Sequence, residues 1–143
     1  MAKVLVLNGP NLARLGSREP EIYGSVNYEQ LVERVMAEAS KLGHTAEVRQ
    51  SDSESELIGW LHEAVDNKLA VIINPAAFTH YSYALADAAA LVSKAGLQLI
   101  EVHISNPHAR EEFRHKSVIS AVATGVIAGF GVESYMLAIK ALA

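Results

Sequence analysis

Cysteine is absent from the 143 residues, which excludes a disulfide framework, a thiolate metal site and a cysteine nucleophile and suits a reducing compartment. Long apolar runs are missing too. No stretch approaches the roughly 18 continuous apolar residues of a membrane helix. The apolar start, Val4–Leu7, is too short for a signal segment and leads directly into a strand pattern. A cytoplasmic protein without a membrane partner is therefore expected. Basic side chains are scarce, 12 against 16 acidic for a formal charge of −4, so a general nucleic-acid binder is disfavoured and any anion site must be local. Gly9 stands alone rather than in a Gly-x-Gly-x-x-Gly fingerprint. Ser25, Ser82 and Ser105 sit in no Gly-x-Ser-x-Gly elbow, which leaves serine hydrolysis unsupported.

What is present is a chain 50% hydrophobic with no repeat, low-complexity tract or linker, as expected of one globular domain over residues 1–143. Lys3–Asn8, Thr45–Gln50, Ala70–Asn74, Leu97–His103 and the glycine-containing Val122–Ala128 read as strands. Between them, Tyr28–Leu42 carries Leu31, Val35, Ala39 and Leu42 at helical spacing before Gly43. Ser53 or Ser55 can cap a helix to about Asp66 with Leu57, Trp60, Leu61, Ala64 and Val65 inward. Ser82–Ala95 and Val132–Leu142 are further helices, with a short one around Glu111–Phe113. Five strands alternating with helices imply an α/β fold: a doubly wound parallel sheet, helices on both faces and right-handed crossovers.

One segment breaks this rhythm. From Leu7 to Gly24 the chain leaves a strand and postpones the next helix far beyond the usual 2–6 residues or so. Its prolines and glycines set turns, and Asn11, Arg14, Arg18 and Tyr23 supply donors, charge and a phenol. This is the composition of an active-site loop with lid character.

Ligands of doubly wound sheets bind beyond the carboxyl ends of the strands, and those ends are polar here: Asn8–Asn11, Asn74 and His103–Asn106. Of the six arginines, Arg14 and Arg18 follow the first strand and Arg110 and Arg114 the fourth, which suggests an anionic substrate. Tyr23 reads either as a packing residue with a wet hydroxyl or as a base. To act near neutrality its phenol must lose about three pKa units, some 4 kcal/mol, about what one guanidinium near 4 Å supplies at an effective dielectric near 20. His103 either satisfies backbone groups or is oriented by Glu101, two residues earlier on the same strand face. His80 reads as a helix-entry residue, Asn11 and Asn74 as turn formers, and Asp87 as part of a solvated helical face that can also serve a neighbouring subunit. No metal-ligand spacing is present among the histidines.

Three separated motifs carry a resemblance: Leu7-Asn8-Gly9-Pro10-Asn11-Leu12 with Arg18-Glu19-Pro20 and Tyr23-Gly24; Ile73-Asn74-Pro75 with Thr79-His80, Ser82 and Asp87-Ala88; and Glu101-Val102-His103-Ile104-Ser105-Asn106 with His108-Ala109-Arg110-Glu111 and Phe113-Arg114. Over essentially its whole length the chain resembles the type II 3-dehydroquinate dehydratases of the shikimate pathway. The resemblance implies a flavodoxin-like sheet and dehydration of 3-dehydroquinate to 3-dehydroshikimate, by anti elimination through an enolate, with neither metal nor organic cofactor. It implies Tyr23 as base held by Arg18, and His103 as general acid oriented by Glu101. Asn11 would position the water that stabilises the enolate. Asn74, His80 and Arg114 match contacts to substrate hydroxyls, Ile104 and Ser105 match donors to the carboxylate, and Arg110 matches a second lid arginine. It further implies a dodecamer of four trimers in which Asp87 reaches an adjoining site. Ala76, where glycine is frequent, and Phe78, Tyr81 and Tyr83 depart from the pattern.

Two rival readings are weaker. A receiver-type module of the same fold would want acids where Asn8 and Asn74 stand, and a flavin-binding one should copurify yellow. Schiff-base dehydration would need a lysine at the strand ends, whereas Lys3, Lys41, Lys68, Lys94, Lys116 and Lys140 fall elsewhere in the sequence.

Overall fold

The computed structural model describes residues 3–17 and 25–142. Five parallel strands, β1 (Lys3–Asn8), β2 (Thr45–Gln50), β3 (Ala70–Asn74), β4 (Leu99–His103) and β5 (Gly125–Ala128), form one sheet in the order β2-β1-β3-β4-β5. Four α-helices accompany it: α1 (Tyr28–Lys41), α2 (Glu54–Asn67), α3 (Tyr83–Lys94) and α4 (Glu133–Ala141). No helix among the described residues is long and apolar enough to cross a membrane.

Alternation along the strands builds two cores. Val4, Val6, Ile72, Ile100 and Val102 face Leu31, Val35 and Ala39 of α1 and Tyr135, Met136 and Ile139 of α4. Leu5, Leu7, Val71, Ile73 and Leu99 face Leu57, Leu61 and Ala64 of α2 and Leu85, Ala89 and Val92 of α3. Each fully buried aliphatic side chain contributes roughly 1.5–3 kcal/mol. Burial on both sheet faces makes the strands read as nearly continuous apolar runs.

Helix starts follow their caps. Asn27 and Gln30 form a reciprocal capping box at α1 (2.8 and 3.0 Å). Ser53, rather than Ser55, caps α2, and Ser82 caps α3. Trp60 is only half-buried: it covers the Arg49 guanidinium, 5.5 Å from the ring centroid, which Glu63 and Glu47 also hold. Two strands start later than expected. Gln98 accepts from Val71 before β4, and Ser120–Val122 forms a 3₁₀ turn before β5, because serine hydroxyls divert that segment toward Glu101. The expected helix near Glu111 is a single 3₁₀ turn, Glu112–Arg114.

The sheet order reverses direction between β1 and β3, the switch point at which doubly wound sheets open a crevice. Gly9 sits there, its N–H donating to the Asn74 carbonyl (2.8 Å). A Cβ at Gly9 would lie 2.5 Å from the Pro75 carbonyl oxygen, so only glycine lets the loops after β1 and β3 touch. The first half of the long β1–α1 connection is anchored: Leu12–Arg14 forms a 3₁₀ turn, with Leu12 and Leu15 buried in the core.

Candidate active site

Beyond the ends of β1, β3 and β4 lies a cavity of about 140 Å³. Asn11, Asn74, His80, His103, Ile104, Ser105, Arg110 and Arg114, widely separated in sequence, all line it. Asp87 does not; it lies exposed on α3. Arg14 is exposed on its 3₁₀ turn and is not part of the described wall. Arg18 and Tyr23 lie outside the described residues.

Glu101 anchors a cluster of polar side chains. It interrupts an apolar strand and is wholly buried, a costly position for a carboxylate unless it is paired and hydrogen-bonded. His103 Nε2 lies 2.5 Å from its Oε2, and Thr79, Ser117 and Ser120 donate hydroxyls to it at 2.6, 2.9 and 2.6 Å. Burial pushes its pKa up, but the hydrogen bond and charge of His103, with the Ser120 and Thr79 hydroxyls, more than offset that and hold it down at about 2. An ionised carboxylate only accepts. His103 therefore donates from Nε2, and Nδ1 is the ring nitrogen that this pair leaves uncommitted.

His80 is set differently. Its Nδ1 donates to the Lys116 carbonyl (2.8 Å), and its ring meets Phe113 edge-on. Burial lowers its pKa against the opposing pull of that carbonyl, and the charges of His103 and Arg114 lower it further. A neutral ring with Nδ1 committed leaves Nε2 as an acceptor for a hydroxyl.

Asn74 donates from Nδ2 to the Tyr135 hydroxyl (2.9 Å) and accepts at Oδ1 from Ala76 N–H (3.1 Å). One hydrogen and one lone pair of its amide are left over. Tyr135, wholly buried on α4, donates in turn to Asn8 (2.6 Å), which donates to the Arg49 carbonyl. Asn11 has a left-handed backbone (φ 71°); its N–H donates to Asp52 (2.8 Å). Arg110 donates to Ser105 Oγ (3.2 Å), while Arg114 pairs with Glu111 (3.0 Å) and stacks on Phe113. Among the described residues two guanidiniums stand against one exposed carboxylate on this wall, an arrangement suited to an anion. Among the described residues no group of three or more His, Asp or Glu side chains is arranged to hold a metal ion.

The sequence reading missed Thr79, Ser117, Ser120 and Tyr135 as supports of the site. A signal existed for the first three: a glutamate inside an apolar strand requires donors from somewhere. Lys116 also needs correcting. It lies closer to the site than its sequence position suggested, lining a second space of about 340 Å³ behind Glu101 and His103 together with His108 and His115, though not the cavity itself.

Comparison with known proteins gives a consistent result. The family described as dehydroquinase class II matches residues 2–143. A 3-dehydroquinate dehydratase from Mycobacteroides abscessus is 62% identical over 137 residues, 96% of this chain and 93% of the relative. One from Salinispora arenicola is 58% identical over 141 residues, 99% of this chain and 96% of the relative. The crystal structure of type II dehydroquinase from Propionibacterium acnes superposes with a TM-score of 0.94 at 51% identity, covering 98% of this chain and 94% of that one.

Proposed function

The chain belongs to the class II dehydroquinase family, and from that premise we propose that it is a hydro-lyase converting 3-dehydroquinate to 3-dehydroshikimate through a tyrosinate base and a histidine acid. The observation that carries this reading is the buried His103–Glu101 pair at the wall of an arginine-bearing cavity. The Tyr23 phenolate, stabilised by Arg18 with Arg110 as a second lid arginine, takes the proton beside the ketone. The electron pair passes to the carbonyl oxygen as an enolate, which a water positioned by Asn11 stabilises. As the enolate collapses, the carbon–oxygen bond of the β-hydroxyl breaks on the opposite face, and His103 delivers its Nδ1 proton so that water leaves. A weakly acidic C–H and a poor leaving group need base and acid together.

Asn74, His80 and Arg114 engage the ring hydroxyls, and Ile104 with Ser105 receives the carboxylate. The free half of the Asn74 amide and the unprotonated His80 Nε2 support this division. The active form is proposed to be a dodecamer of four trimers in which Asp87 of α3 reaches an adjoining site.

The test is incubation of purified protein with 3-dehydroquinate, following absorbance of the conjugated product. The parent should form it with or without chelator, and Tyr23→Phe and His103→Ala should each lose about 10²–10⁴-fold in kcat. A parent that forms no conjugated product, or a folded and fully active Tyr23→Phe, would overturn the reading.

A further inference from the structure

The support of Glu101 is more elaborate than its pairing with His103 requires. Its two oxygens offer about four acceptor directions, and four donors from four places in the chain meet them: His103 Nε2–H and the Thr79 hydroxyl at Oε2, the Ser120 hydroxyl at Oε1, and Ser117 reaching both (2.9 and 3.1 Å). Ser117 cannot turn away, because its Oγ accepts the backbone N–H groups of Ile119 and Ser120 (3.1 and 3.0 Å). With both lone pairs taken, its hydroxyl hydrogen is left to point into the cluster formed by Glu101 and Thr79 Oγ1 (2.9 Å). Thr79 itself is fixed by the 3₁₀ turn after β3, and its carbonyl accepts from Val118 N–H (2.7 Å).

We infer that Thr79, Ser117 and Ser120 are positioning residues that act through Glu101, forcing His103 to present Nδ1 to the cavity and making its imidazolium the stronger acid. The inference rests on His103 serving as the proton donor proposed above. Hydroxyl donors draw charge off the carboxylate. They stabilise it most when the imidazole is neutral and the whole negative charge is exposed to them, and less once an imidazolium has already neutralised it. Saturating Glu101 with hydroxyls therefore favours the deprotonated ring and eases release of the proton to the departing hydroxyl. A bare Glu–His pair would hold that proton more tightly and deliver it more slowly. The other charged and titratable groups facing this pair are His80, Arg110 and Arg114 on the cavity side and His108, His115 and Lys116 behind it. None of them donates to Glu101, so the hydroxyls can be altered without removing a charge.

The experiment is a heteronuclear NMR titration of the His103 ring, assigned by its disappearance in His103→Ala, combined with kcat and KM on 3-dehydroquinate. Ser120→Ala and Thr79→Val should each raise the proton affinity of His103 by about threefold to tenfold, up to one pKa unit. They should lower kcat by about tenfold and leave KM within about twofold. Thr79→Ser, which restores the hydroxyl, should return both readouts toward the parent. Ser120→Ala removes a single oxygen and carries the test even if Thr79→Val unfolds. An unmoved His103 midpoint in folded Ser120→Ala would overturn the inference, as would a fall in kcat accompanied by no change in titration. The titration needs no turnover, so failure of the dehydratase reading would show separately, as a parent inactive on 3-dehydroquinate.

Discussion

Ala76 holds a left-handed backbone, φ 53°, in the turn that carries Asn74 to the cavity, and its N–H fixes the Asn74 side-chain oxygen. Asn11 has a similar φ of 71°, but asparagine tolerates this region and alanine has no compensating side chain. The left-handed conformation costs an L-residue about 1–2 kcal/mol, while glycine gives back roughly 0.4–1 kcal/mol through the entropy of the unfolded chain. Ala76→Gly should therefore stabilise the protein by about 0.5–1 kcal/mol, read as a higher urea midpoint at unchanged slope. A lower midpoint would contradict it. That glycine is the frequent residue here was visible in the resemblance, but the strain was not, since φ is set by the tertiary placement of the turn. Glu101 and His103 were legible as a pair because residues two apart on a strand share a face. Thr79, Ser117 and Ser120 were not, because they meet Glu101 only after the chain has folded.

At the level of elements the strands β1, β2 and β3 fall where the apolar runs placed them, and the helix starts follow Asn27, Ser53 and Ser82. The differences lie at the starts of β4 and β5, the latter where a serine hydroxyl reaches Glu101, while Trp60, half-buried, packs against the core as expected and also covers a charged group. Helix α4 shows what periodicity leaves out. Tyr135 was expected on a helix, but its hydroxyl bridges Asn74 and Asn8, joining α4 to β1 and β3. Burial raises its pKa far above the ordinary phenol value, a rise that the Asn74 hydrogen bond opposes and the nearby Tyr28 adds to, so it stays a neutral donor. Tyr135→Phe leaves Asn8 Oδ1 and Asn74 Nδ2 without this partner in a dry interior. We expect a loss of about 1–3 kcal/mol in urea unfolding, and a change below about 0.5 kcal/mol would show that the bridge contributes little.

Across the whole molecule, the outer face of α3 carries Tyr83 (72% exposed), Asp87 and Leu91 (46% exposed) at successive turns, with Tyr81 exposed just before it. Two large side chains flanking one carboxylate on a single helical face offer a contact surface for the proposed assembly. Sedimentation equilibrium should report a mass near twelve chains, and a monomer alone at micromolar concentration would overturn it. Net charge and the absence of cysteine bear on none of this, because they describe totals and not where groups meet.

What the sequence by itself determined was the alternation of strands and helices, the polar strand ends and the pairing of Glu101 with His103, since each depends on neighbours a few residues apart and on local preferences of the backbone. Only the tertiary structure decided that β1, β3 and β4 open on one cavity. It alone brought Thr79, Ser117 and Ser120 onto a buried carboxylate, set Tyr135 behind Asn74 and strained Ala76. Contacts across tens of residues depend on strand order and on how the helices cover the sheet, and those are settled by burying all the apolar faces at once.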